Sequence, residues 1–83
     1  MSSLTQELAD KLAEDTFKVM KASGDDRFFM EVAKVIGASS TTLEEAYLTS
    51  IRVRLAERRA RQFILDRARQ IQAEAGKPEA PET

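Results

Sequence analysis

The chain contains no cysteine, no histidine and no tryptophan, one tyrosine, two prolines and three glycines. Without Cys and His there are no disulfides, no thiolate or imidazole nucleophiles, no His–Asp relays and no transition-metal sites built on sulfur or nitrogen ligands. Most enzyme chemistry goes with them, and no catalytic residue, metal site or cofactor is expected. Long apolar runs are missing too. Stretches such as Phe28–Met30 and Phe63–Leu65 reach only three residues, against the ~20 that a membrane-spanning helix requires. The opening Met-Ser-Ser-Leu-Thr-Gln-Glu has neither the basic nor the apolar segment of a secretory signal, so a cytoplasmic location away from membranes is expected.

What is present describes a small soluble protein. Eighty-three residues fit one folded unit, and 42% apolar with 33% charged side chains is a globular balance rather than a disordered one. The expected organisation is a single helical domain over 1–75 and a disordered acidic tail over 76–83, which holds both prolines and no apolar anchor.

Helical periodicity dominates. Leu4, Leu8, Ala9, Leu12, Ala13, Thr16, Val19 and Met20 form one stripe over 4–22, with Ser3 and Gln6 spaced as a capping box and Ser23-Gly24 as the stop. Asp25 or Asp26 is placed to cap a second helix ending near Ile36, where Gly37 offers a left-handed terminal residue. Its apolar arc, Phe28, Phe29, Met30, Val32, Ala33, Val35 and Ile36, is so wide that the spacing predicts the most buried helix, at the centre of the core. Thr41 or Thr42 is spaced to cap a third helix, and from Leu43 to Ala75 no Gly or Pro interrupts it. The fold class is therefore all-α, a small three-helix bundle with a long C-terminal helix and a disordered tail.

The third helix carries two apolar faces. Tyr47, Leu48, Ile51 and Leu55 share one side, whereas Ala60, Phe63, Ile64, Ala68, Ile71 and Ala75 lie roughly opposite. A straight helix cannot turn both toward one bundle. Either it bends near Glu57 or the second face meets another chain, most simply a second copy across a two-fold axis. Ala60, Phe63, Ile64, Ala68 and Ile71 are the expected dimer interface.

Charge is uneven although the total is only −1. Residues 52–69 hold seven Arg against two acids, while residues 1–51 hold nine acids against five bases. Arg52, Arg54, Arg58, Arg59, Arg61 and Arg69 are the expected partner-binding residues, since guanidinium groups suit bidentate contact with carboxylate or phosphate. A solvated face that offsets the acidic half would use the same residues. The adjacent pairs Asp25-Asp26 and Glu44-Glu45 point about 100° apart on a helix and read as helix-start charges, not as an acid–base couple. No glycine-rich phosphate-binding loop occurs.

Val32-Ala33-Lys34-Val35-Ile36-Gly37-Ala38-Ser39-Ser40-Thr41-Thr42-Leu43, within 29–48, resembles the centre of helix-turn-helix DNA-binding domains. Val32, Ala33, Ile36, Gly37, Leu43 and Ala46 match its packing positions. The resemblance implies that Ser39, Ser40, Thr41, Glu44 and Glu45 would face the major groove, where two adjacent carboxylates oppose a polyanion. It also implies phosphate contacts by Arg52, Arg54, Arg58 and Arg59. The expected function is a small cytoplasmic protein–protein interaction module, regulatory or adaptor, that forms a homodimer and holds an acidic surface of another protein. The alternative is a helix-turn-helix DNA-binding regulator.

Overall fold

The computed structural model describes residues 3–76 as three helices, α1 (Leu4–Ser23), α2 (Phe28–Gly37) and α3 (Thr41–Gly76). Of the tail expected over 76–83, residues 77–83 lie outside the described residues, and Gly76 is instead the last residue of α3.

Short polar segments set the helix ends. Ser3 Oγ accepts from Gln6 N at 3.1 Å, but the Gln6 amide donates to Asp10 at 2.9 Å instead of reaching back, so half of the expected capping box forms. Gly24 closes α1 in the left-handed region, φ 76°, donating its N–H to the Met20 carbonyl. Neither Asp25 nor Asp26 caps α2. Asp25 Oδ1 accepts from Arg27 N at 3.0 Å, an Asx turn spent before the helix, and Arg27 stands at the cap without a side-chain bond. The α3 cap is Ser40, whose Oγ accepts from Leu43 N at 3.0 Å, and not Thr41 or Thr42. Gly37 is not left-handed, since Ala38 closes α2 in the right-handed region. Instead, the end of the Glu44 side chain lies over it, where an added Cβ would meet Oε1 at 2.7 Å.

The core is built by α1 and α3. Ala9, Ala13, Thr16 and Met20 are buried along one face of α1, and Tyr47, Ser50 and Ile51 are buried along the start of α3. Alanines at 9 and 13 leave room for Tyr47 and Ile51, the largest fully enclosed side chains. The Thr16 hydroxyl donates to the Leu12 carbonyl at 2.8 Å and lies 2.8 Å from Tyr47 Oη. A hydroxyl has one hydrogen, so Tyr47 is the donor to Thr16.

The expectation that α2 occupies the centre is corrected. Of its residues only Ala33 is buried, Phe29, Val32 and Ile36 are partly covered, and Met30 and Val35 remain 49% and 74% exposed. A helix of 10 residues lies on the flank of the α1–α3 pair, and its apolar arc is wider than two neighbours can cover.

Helix α3 is unbroken over 36 residues, about 54 Å at ~1.5 Å per residue, with no interruption near Glu57. Its neighbours end at Leu55: every residue from Ala56 to Gly76 is exposed. The radius of gyration of 19.2 Å exceeds the roughly 12 Å of a compact chain of this length, and the long extent is 66 Å. The molecule is a small bundle from which half a helix projects.

Candidate protein-interaction surface

The projecting half of α3 carries the residues expected at an interface. Phe63, Ile64 and Ile71 are 66%, 61% and 57% exposed, and Ala60 and Ala68 complete the face between them. Val53, at 63% exposure, extends the same face back to the bundle and was in neither apolar set read from the sequence. Leu65 lies five turns beyond Tyr47 and prolongs the core-facing side past the end of the core. Burial of Phe63, Ile64 and Ile71 would contribute about 1.5–3 kcal/mol for each side chain fully covered.

The six arginines separate by what they touch. Arg54 is half-buried and turned to α1: its Nη2 donates to the Asp10 carbonyl at 3.4 Å and its Nε to Ser50 Oγ at 3.3 Å, while Ser50 donates to Asp10 Oδ1 at 2.8 Å. Arg61 pairs with Glu57 at 2.7 Å and Arg69 with Asp66 at 4.0 Å, both along the exposed helix, where such pairs contribute about 0.3–0.5 kcal/mol. Arg58 lies over the Phe17 ring, 5.3 Å from its centre. Arg52 and Arg59 are exposed and unpaired among the described residues. Arg67, the seventh, covers Phe63 at 5.7 Å. The helix-turn-helix positions are also placed: Ser39, Thr41 and Glu45 are exposed, and Glu44 is half-covered beside Gly37.

Between α2 and the middle of α3 lies a trough that periodicity alone did not reveal. One cavity of about 680 Å³ is bounded by Met20, Phe29, Met30 and Leu55 below Arg27, Arg58 and Arg59. A second, about 440 Å³, shares Phe29, Met30 and Leu55 with it and adds Ala33, Leu48, Lys34 and Arg52. Arg27 and Lys34 were not among the expected partner-binding residues, and α2 itself was expected inside the core.

Burial pushes the Tyr47 phenol above its ordinary value, partly opposed by the hydrogen bond with Thr16. Among the described residues no helix is long and apolar enough to cross a membrane. No family model, curated protein or solved structure matches this chain.

Proposed function

We propose that this protein is a protein–protein interaction module that pairs with a second copy through the projecting half of α3 and uses its Arg-bearing surface to hold an acidic partner. The observation that carries the reading is the apolar face of Ala60, Phe63, Ile64, Ala68 and Ile71, which among the described residues neither α1 nor α2 covers. Small domains commonly gain stability by oligomerising, since a core of this size supplies only a few kcal/mol. Ala60 and Ala68 flank Ile64 at equal distance along the helix, which suits an antiparallel two-fold contact centred there. Sedimentation velocity over a concentration series tests it. A monomer–dimer equilibrium is expected, abolished by Ile64→Asp without loss of helix content. A monomer at every concentration, with Phe63 and Ile71 still solvent-accessible, would remove the reading.

A second reading, duplex DNA binding through the α2–turn–α3 segment, draws on the short turn over 38–40 that joins the two helices. Duplex affinity would then fall steeply with salt, with a slope reduced by about one in Arg58→Ala. Glu44 and Glu45 at the start of α3 oppose that reading.

A further inference from the structure

We propose that the trough between α2 and the middle of α3 is the docking site for a negatively charged amphipathic helix of a partner protein. This deepens the interaction-module reading and rests on it, but the surface is separate from the self-pairing face of α3. The two cavities adjoin at Phe29, Met30 and Leu55 and together follow α3 from Glu44 to Gln62. That stretch is about 27 Å, the length of roughly five helical turns.

The floor is apolar: Met20, Phe29, Met30, Ala33, Leu48 and Leu55. Two of these are methionines, whose flexible side chains adapt to the ridges of an incoming helix. The banks are cationic. Arg27 and Lys34 stand on the α2 side and Arg52, Arg58 and Arg59 on the α3 side, against Asp26 and Glu44. Glu44 is turned toward Gly37, within van der Waals reach of its Cα side. None of these five cations has a carboxylate within 4 Å among the described residues, whereas Lys11, Arg61 and Arg69 do. Unpaired cations on both sides of an apolar floor complement a helix with an apolar stripe and carboxylates on its two flanks.

The same charges argue against the other occupants. The uncovered face of α3 on a second copy offers no run of free carboxylates, since Glu57 is held by Arg61 at 2.7 Å and Arg67 lies beside Phe63. A nucleic-acid backbone would satisfy the arginines but place phosphates over an apolar floor.

Selection of helical peptides of about 16 residues from a randomised display library against the full chain, followed by anisotropy titrations, tests the proposal. Enriched peptides should carry Leu, Ile, Phe or Met at i, i+3, i+4 and i+7 with Asp and Glu on the flanks. Their affinity should fall at least tenfold in the Arg52→Glu/Arg59→Glu double variant and stay unchanged in Ile64→Asp. Should the double variant melt early, Arg52→Gln/Arg59→Gln replaces it, with the loss still expected. Neutral or basic winners, binding indifferent to Arg52 and Arg59, or no enrichment would overturn the proposal. So would a duplex oligonucleotide that binds through Arg52 and Arg59 more tightly than the acidic peptides. Peptides lost only in Ile64→Asp would sink the trough and leave the interaction-module reading standing. Absence of any binder together with a strict monomer would remove both.

Discussion

Tyr47 and Thr16 show how much one buried hydrogen bond directs at the residue scale. Because Thr16 gives its hydrogen to Leu12, Tyr47 needs Thr16 as acceptor, and the two substitutions that break the contact are unequal. Thr16→Val leaves the Tyr47 hydroxyl buried without an acceptor and should cost about 1–3 kcal/mol; Tyr47→Phe, which leaves Thr16 bonded to Leu12, should cost about 0.5–1.5 kcal/mol. Urea titration of both variants checks the order. The phenol is held above its ordinary value in the folded chain, so the folded state keeps a proton that the unfolded state releases. Its contribution is complete below the unfolded value near ~10 and is lost as pH rises through the folded one. Thermal melts between neutral pH and about pH 11 should therefore fall more steeply for the native chain than for Tyr47→Phe. The glycines differ as well. Gly24→Ala should destabilise by about 1 kcal/mol through its positive φ although nothing lies within 4 Å, whereas Gly37→Ala should be nearly neutral. There the contacting atoms are the mobile end of Glu44, and the gain in helix propensity offsets the displacement.

At the scale of elements, legibility followed the period of the apolar residues. Three helices, their order and their ends to within about two residues could be read from stripes and from the absence of Gly and Pro between Leu43 and Ala75. The capping residues were less legible. Ser40, Thr41 and Thr42 all carry a hydroxyl able to bond a helix-start N–H, and only the packing of Leu43 against the core selects Ser40. The role of α2 was misread because width of an apolar arc says how much surface asks for cover, not how much cover exists. Its exposed Met30 and partly covered Phe29 form part of the floor of the trough. The two halves of α3 should respond in opposite ways to one change. Ile51→Ala should cost about 2–5 kcal/mol at any protein concentration, while Ile71→Ala in dilute solution should stay within about 0.5 kcal/mol. Denaturation at two concentrations separates them, since the Ile71 effect should grow where copies pair.

For the whole molecule, shape follows from a mismatch of lengths. Helices α1 and α2 cover α3 only as far as Leu55, and about 30 Å of helix projects beyond. Isolated helix of that length is marginal in water, so amides of 62–75 should exchange within the dead time of a dilute experiment and gain protection as concentration rises. The core amides around Tyr47 and Ile51 should stay protected in both regimes. Hydrogen exchange read by mass spectrometry at two concentrations decides this. Constant protection of the projecting half would mean that it is held without a second chain.

Composition and periodicity by themselves determined that the chain is helical, that its last helix is long, and that this helix has two apolar faces of different register; that it runs unbroken past Glu57 was decided by the structure. They could do so because local spacing reports which side chains share a side of one helix. Which apolar residues are sheltered, which arginines are tied into the bundle and which stand free along a trough was decided only in three dimensions. Arg54 and Arg59 differ by five positions and look alike in sequence, yet the first reaches the Asp10 carbonyl on α1 and the second borders the trough. That difference depends on where the neighbouring helices end, a property of their packing against α3 rather than of the pattern along any one of them.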